Sequence, residues 1–140
     1  MTVHIRKLSV GSESFESLAE WQAYRLRQAG RLRHVTRTMP KRRDEVLDGG
    51  SIYWIIKGVM LARQRILDLE EVIDEEGERR CGIVLDPELH RIVPRPHRPF
   101  QGWRYLKAEE APADLRDGLG KGAEEMPTEL LTELKELGLL

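Results

Sequence analysis

With 140 residues, 34% of them charged and 6% aromatic, and a formal net charge of −1, the chain is typical of one folded domain rather than a fibrous or disordered protein. No apolar run approaches the ~18 residues that a membrane-spanning helix requires. The first ten residues lack the apolar core of a signal peptide. The lone cysteine, Cys81, excludes an intramolecular disulfide and a cysteine-built metal site. We therefore expect a cytoplasmic protein that has no membrane partner and no cofactor.

Charge is distributed unevenly along the chain. Residues 108–140 hold nine acids and three bases, whereas residues 1–107 hold 15 acids and 20 bases. Within the basic part, residues 25–43 contain eight Lys/Arg and no acid, and residues 68–78 contain seven acids and no base. Such blocks bear on partners rather than on fold. The 25–43 block is thus a candidate surface for an anion.

The first elements in chain order are a strand and a long helix. Alternation of Val3 and Ile5 predicts a strand over 2–10. A helix follows, with Ser12 or Ser14 as its N-cap and Gly30 as the glycine that ends it. The apolar face of this helix recurs at helical spacing, at Phe15, Leu18, Ala19, Gln22 and Leu26.

The middle of the chain predicts two short elements and then a buried strand. Residues 31–38 resemble a short strand, and 41–50 suit one or two helical turns that end at a glycine pair. Residues 51–58, SIYWIIKG, are a continuous apolar run rich in β-branched and aromatic side chains. A run of this length between glycines is typical of a central strand buried on both faces. Tyr53 and Trp54 then point to opposite faces.

Residues 59–73 fit both a helical stripe and one face of a strand. The segment that follows, IDEEGERRCGIVLDP, is typical of a hairpin that turns at Glu76-Gly77, and a hairpin needs a strand on its first arm. We therefore predict a strand over about 61–73 and another over 79–85, which Asp86-Pro87 ends.

The last third of the chain is rich in proline and then in leucine. Residues 88–94 predict one more strand, and Pro94, Pro96 and Pro99 predict a surface stretch of polyproline II. Residues 107–126 are linker-like, and a C-terminal helix is predicted over 127–137. Its leucine face packs on its own domain or, if exposed, makes a homodimer contact.

These elements predict a single α+β domain over residues 1–140. Its sheet is small, curled and mostly antiparallel, or an open barrel, with an early long helix and a C-terminal helix.

Several motifs together resemble a family of uncharacterised bacterial proteins that is defined only as a domain of unknown function. They are HVTRTMPKRRDEVLDGGSIYWIIKG (34–58), RQRIL (63–67), a cysteine-containing strand that ends in LDPE, and RPFQGWRYL (98–106). The resemblance covers nearly the whole chain and implies no particular activity.

The order of a basic strand, a short helix, GGSIYWIIKG and a long RQRIL strand is also similar to the pseudouridine-synthase-and-archaeosine-transglycosylase-like (PUA-like) barrels, which include the ASCH and EVE modules. This likeness implies a small curled sheet that presents a basic, aromatic-lined cleft to RNA or a modified base. Fold analogy alone does not assign a function.

The leading hypothesis is a module that binds RNA, a nucleotide or a modified nucleobase. Arginine and lysine would neutralise phosphates, and aromatic rings would stack on bases. Phe100 and Trp103 also suit a core role, because the chain has only eight aromatic residues. The candidate binding residues are Arg37, Lys41, Arg42, Arg43, Tyr53, Lys57, Arg63, Arg95, Arg98 and Arg104.

An enzyme of unassigned type is the alternative, with Lys57, Asp44 or His34 as its polar groups. The four histidines show no metal-ligand spacing, so no metal site is predicted. Cys81 lies in an apolar strand and suits a small core residue better than a thiolate. A structural or regulatory homodimer is the third hypothesis.

Overall fold

The computed structural model describes residues 1–115 and shows six strands, two α-helices and a short 3₁₀ turn. The predicted C-terminal helix, 127–137, lies outside the described residues. The elements are β1 (Val3–Leu8), α1 (Phe15–Ala29), β2 (Leu32–Thr36), α2 (Arg43–Leu47), β3 (Ser51–Ile56), β4 (Val59–Ile73), β5 (Arg79–Pro96), β6 (Trp103–Lys107) and the 3₁₀ turn Ala108–Glu110.

All six strands form one mixed sheet in the order β2-β5-β4-β3-β1-β6. Only β1 and β3 run parallel; the other neighbouring pairs are antiparallel. The prediction of a mostly antiparallel α+β sheet with an early helix is confirmed. The edge strands β2 and β6 do not pair with each other, so the sheet is not closed into a barrel.

The two long strands β4 and β5 are interrupted where their register shifts. The shifts fall between Met60 and Ala62, Gln64 and Ile66, and Ile66 and Asp68. A bulge bends its strand and increases the local twist. The three register shifts therefore bend this hairpin. Thr38 and Arg42, which follow edge strand β2, contact β6 without a backbone ladder between the two strands.

Two prolines of β5, Pro87 and Pro94, occupy interruptions of this kind, which corrects two predictions. Pro87 does not end the strand, and residues 88–94 are not a separate one, because β5 runs on to Pro96. Pro94 and Pro96 are likewise in β5 rather than in polyproline II. Pro87 and Pro94 lie between paired positions, where the ladder needs no donor. Proline at a bulge is compatible with a strand, and the sequence does not show where the bulges fall.

The remaining strand predictions are largely confirmed. Residues 59–73 form a strand and not a helix, and the hairpin turns at 74–78, where the Asp74 carboxylate accepts from two backbone amides. All six residues of β3 are buried. Tyr53 and Trp54 pack in different clusters on the two faces of the sheet, as alternation predicts.

Each face of the sheet has its own apolar cluster. The larger one lies under α1 and α2 and includes Trp54, Leu18 and Val46. Helix α1 begins at a capping box of Ser14 and Ser17 and ends at Gly30 in the left-handed conformation, as predicted. The smaller cluster contains Tyr53, Ile55, Met60, Ile92 and Leu106, with Phe100 and Ala111 packed against it.

The described part of the linker-like segment lies against β5. The Val93 amide donates to the Ala113 carbonyl, and the Leu115 amide donates to the Arg91 carbonyl. The carboxylate of Asp114 binds Arg63 through two hydrogen bonds of 2.6 and 2.7 Å. Residues 108–115 thus cover part of the smaller cluster.

Candidate nucleic-acid interface

A groove of about 940 Å³ lies between the two edge strands of the sheet. We call it the edge groove. Lys7 from β1, Arg37 from the end of β2, and Trp103, Arg104 and Tyr105 from β6 contribute to its walls. Within residues 1–115, no side chain that lines it carries a carboxylate. The edge groove therefore combines cations with aromatic rings, and no acidic side chain among its described lining residues would repel an anion.

Two hydrogen bonds hold the walls of the edge groove together. The Trp103 indole Nε1 donates to the Thr38 carbonyl oxygen over 2.8 Å, and the Arg42 backbone amide donates to the Tyr105 hydroxyl over 3.0 Å. The two rings meet edge to face with centroids 4.8 Å apart. Side chains thus replace the backbone ladder that a closed barrel would have.

A pair of arginines lies on the opposite face of β1 and β6 from Lys7, Trp103 and Tyr105. Arg6 of β1 is directly opposite Arg104 of β6. Like charges at directly opposite positions destabilise a sheet. The Arg6 Nε is buried and has no hydrogen-bond partner among the described residues. The Arg104 guanidinium lies 5.0 Å from the centroid of the Phe100 ring. An anion bound here would relieve an unfavourable arrangement.

A smaller cavity, of about 150 Å³, opens between α1 and the sheet. We call it the helix cavity. Lys7 lines both it and the edge groove. Trp54 and His34 form part of its wall, and their rings meet edge to face with centroids 5.3 Å apart. Trp21, which is 55% exposed, stands at its mouth. The lining residues include no carboxylate in the described part of the chain.

Buried amides fix the orientation of one polar group in the helix cavity. Gln22 and Gln64 donate to each other through two hydrogen bonds of 2.8 and 2.7 Å. The Gln64 amide also accepts from the Trp54 Nε1 and donates to the Asp86 carbonyl. An indole N–H can only donate and a carbonyl can only accept. The positions of the oxygen and nitrogen of the Gln64 amide are therefore fixed. Because Gln22 pairs with that amide, the orientation of the Gln22 amide is fixed as well.

Burial keeps His34 neutral. Burial, followed by the positive charge of Lys7, lowers the pKa of His34 from 6.5 to about 4. Burial also lowers the pKa of Lys7 from its usual value. The His34 Nε2 is buried without a hydrogen-bond partner among the described residues. At neutral pH, His34 thus offers the helix cavity an uncharged ring nitrogen.

Of the predicted binding residues, Arg37 and Arg104 line the edge groove, and Arg42 lies at its rim. The Arg42 guanidinium is 5.4 Å from the centroid of the Tyr105 ring and also pairs with Glu45. Arg37 and Arg104 make no ion pair within residues 1–115. The structure thus joins two separate parts of the predicted set.

Other predicted binding residues make contacts within the fold. Arg43 pairs with Asp68 over 3.0 Å, and Arg63 forms its two hydrogen bonds with Asp114. Arg95 donates to the Glu110 carbonyl. These contacts attach neighbouring segments to the sheet. The guanidinium groups of the three arginines therefore already have hydrogen-bond partners within the fold.

The four remaining predicted residues also lie outside both the edge groove and the helix cavity. Lys41 and Arg98 are exposed. Tyr53 is buried in the smaller cluster, with its ring edge to face against His4. Lys57 is in the two-residue turn between β3 and β4, where it has a φ of 49° and precedes Gly58 with a φ of 78°. Two positive φ values in succession are typical of a type I′ hairpin turn.

Of the polar residues that an enzyme would use, His34 alone lines the edge groove or the helix cavity; Lys57 and Asp44 do not. Cys81 is buried in the core, as predicted, and burial raises its thiol pKa to about 11. In residues 1–115 no group of three or more potential ligand side chains is placed to hold a metal ion. No helix in that range is long and apolar enough to span a membrane.

Residues 5–140 match the model of a family described as "Protein of unknown function (DUF1489)". The chain belongs to the DUF1489 family. Comparisons with curated proteins and with solved structures find no match. The function of this DUF1489 chain is therefore argued from its own side chains.

Sequence reasoning missed several residues of this DUF1489 site. Arg6 and Lys7 are consecutive in β1, and Trp21 and Gln22 are consecutive in α1. The sequence did carry a signal for Arg6 and Lys7, because two consecutive cations interrupt the apolar alternation of that strand. Gln22 occupies an apolar face of α1, and a polar residue there indicates a buried hydrogen-bond partner. Nothing local distinguishes Trp21.

Proposed function

We propose that this protein binds single-stranded RNA or a nucleotide through the edge groove. The observation that carries the proposal is the convergence of Lys7 and Arg37 with Trp103 and Tyr105, without a carboxylate among the described lining residues. Cations in a groove attract the phosphate backbone, and aromatic side chains stack on bases of any sequence.

The arginine pair on the other face of β1 and β6 offers a second place for a phosphate. Opposed Arg6 and Arg104 are costly in the free protein because their charges repel. A phosphate between them would accept charge-assisted hydrogen bonds from both, which are about twice as strong as neutral ones. The binding of an anion would therefore relieve the repulsion between these two arginines.

The first prediction concerns the salt dependence of binding. We expect the purified protein to retain a short single-stranded RNA less strongly as salt rises, because binding releases counterions. The double substitution Lys7→Ala/Arg37→Ala should weaken binding at low salt. It should also reduce the slope of log affinity against log salt by about 1.4, since each lost phosphate contact on a single strand contributes about 0.7. Filter binding at a series of salt concentrations measures both.

The matched control is Arg27→Ala/Arg79→Ala. It removes the same charge from exposed positions that line neither the edge groove nor the helix cavity. We expect this variant to keep the salt slope of the wild type. Equal losses in the two double variants would mean that net charge, and not the groove, governs binding. No retention of RNA at low salt would refute the proposal.

A further inference from the structure

We infer that the helix cavity is a subsite for a single planar base, whose phosphate lies in the edge groove. The inference rests on the proposed function and adds to it a base-reading pocket distinct from the phosphate-binding surface. Lys7 lines both spaces, so a nucleotide that enters the helix cavity brings its charged part to the groove.

The size and walls of the helix cavity select a flat ring. A volume of about 150 Å³ is small for a drug-sized ligand and is close to that of a cavity known to hold benzene. Apolar contacts come from Leu18, Leu32 and Leu85, which line the same space. Trp54 contributes an aromatic wall. An apolar slot of this volume admits one aromatic ring and excludes a bulky group.

The polar groups in the helix cavity suit a ring that carries both donors and acceptors. In its pair with Gln64, Gln22 uses one amide N–H and one oxygen lone pair. A primary amide has two of each, so one donor and one acceptor remain on a side chain that is only 8% exposed. The Gln64 amide, by contrast, makes four hydrogen bonds and has none to spare.

His34 and Lys7 add to this polar set. The His34 Nε2 has no partner among the described residues, although it is buried. A buried polar atom of this kind calls for an explanation such as a water or a ligand. Lys7 provides a donor at the passage to the groove. Enzymes and binding proteins that read a base outside a duplex use the same combination of ring contacts and hydrogen bonds to the base edge.

Trp21 supplies a ring at the mouth of the cavity. It stacks on Tyr24 with an interplanar angle of 22°, and the Arg25 guanidinium lies 5.7 Å from its ring centroid. Both aromatic side chains are about half exposed. Large aromatic rings held in this way at the entrance to a basic cavity can receive the base or its neighbour by stacking, which is worth about 1–3 kcal/mol per base.

The test compares two probes of equal length and charge, a short single-stranded RNA and an abasic ribose-phosphate chain. We expect the wild type to bind the RNA at least about tenfold more tightly, which is the effect of one stacked base. His34→Phe keeps an aromatic ring against Trp54 and removes only the ring nitrogens, and Trp21→Ala removes the ring at the mouth. Each should reduce the ratio of affinities by about fivefold or more while leaving the affinity for the abasic chain unchanged. The preference that remains is the stacking of bases on Trp103 and Tyr105 in the edge groove.

His90→Phe is the matched control, because it makes the same substitution at a histidine outside both spaces. We expect it to retain the wild-type preference for RNA. Circular dichroism of each variant confirms the fold, and His34→Phe loses no known internal hydrogen bond of Nε2.

The outcomes separate the two proposals. Equal affinity of the wild type for both probes would overturn the base subsite and leave the edge groove as a phosphate-binding surface. A preference for RNA that is as strong in both His34→Phe and Trp21→Ala as in the wild type would also overturn it. If the wild type binds neither probe at low salt, the proposed function fails and the base subsite fails with it.

Discussion

At the scale of single residues, burial decides which ionisable groups can serve the site. His34 and Cys81 are both reactive types in principle, yet burial keeps the imidazole neutral and the thiol protonated at pH 7. Arg37 and Arg104 are exposed, and no carboxylate in residues 1–115 forms an ion pair with them. In the proposed function, fixed charges and neutral hydrogen-bonding groups therefore carry the recognition of the ligand.

The lowered pKa of His34 predicts a loss of stability in mild acid. The folded chain resists protonation of His34 until about pH 4, whereas the unfolded chain takes up this proton near pH 6.5. Because the unfolded state binds more protons between these values, stability falls as pH falls through that window. The contribution is up to about 3 kcal/mol, since one unit of pKa corresponds to about 1.4 kcal/mol.

Urea denaturation at neutral pH and near pH 4 measures this effect. Burial lowers the pKa of His4 as well. The loss of stability on acidification is therefore compared between the wild type and His34→Phe. We expect the substituted protein to lose less stability on acidification. Parallel losses in the two proteins would show that His34 is not the responsible group.

At the scale of elements, the Gln22–Gln64 pair attaches α1 to the sheet. Gln64 of β4 hydrogen-bonds to a side chain of α1, to the Trp54 indole of β3 and to the Asp86 carbonyl of β5. One side chain thus connects four elements within the larger apolar cluster. Buried polar networks of this kind specify a unique packing when every member is satisfied. The helix cavity takes its shape from that packing.

Gln64→Leu is therefore expected to destabilise the protein by about 2–4 kcal/mol. The substitution leaves the Trp54 N–H, the Asp86 carbonyl and part of the Gln22 amide buried without partners, and each such group costs about 1–3 kcal/mol. Part of that cost is relieved by relaxation and water. The free energy of unfolding in urea is the measurement.

Gln28→Leu, the same change at an exposed position of α1, should alter stability by no more than about 0.5 kcal/mol. Adding Gln22→Leu to Gln64→Leu should recover part of the loss, because replacing both partners of a buried pair is close to neutral. A Gln64→Leu protein as stable as the wild type would contradict the proposed network.

At the scale of the whole molecule, the curl of the sheet creates the site. Strands β2 and β6 are at opposite ends of the strand order, yet Thr38 and Arg42, which follow β2, contact Trp103 and Tyr105 of β6. The gap that remains is the edge groove. A closed barrel would have filled this space with a backbone ladder, and a flat sheet would have separated its two walls.

The contact between Arg42 and Tyr105 can be tested by hydrogen exchange. Tyr105→Phe removes the hydroxyl that accepts from the Arg42 amide and keeps the ring. We expect that amide to exchange about fivefold faster, the effect of losing a hydrogen bond worth about 1 kcal/mol. Tyr24→Phe, at an exposed tyrosine of α1, should leave the rate unchanged. An unaltered rate in Tyr105→Phe would show that the hydroxyl does not protect this amide.

Local rules in the sequence determined most elements of the fold. Ser14 and Gly30 delimit α1 because caps satisfy backbone groups within a turn of the chain. The apolar run of β3 required burial on both faces. The same rules gave a wrong result at Pro87 and Pro94, because a bulge depends on the partner strand and not on the residues beside the proline.

Only the tertiary structure decided the site. The sequence identified the cations and aromatic rings of 98–106 and the basic block before α2, but the convergence of Arg37 with Trp103 and Tyr105 depends on the summed bending of β4 and β5. The same applies to Gln22, whose partner is 42 residues away in the chain. Periodicity and capping act over a few residues, whereas a groove between two sheet edges depends on how every strand between them twists.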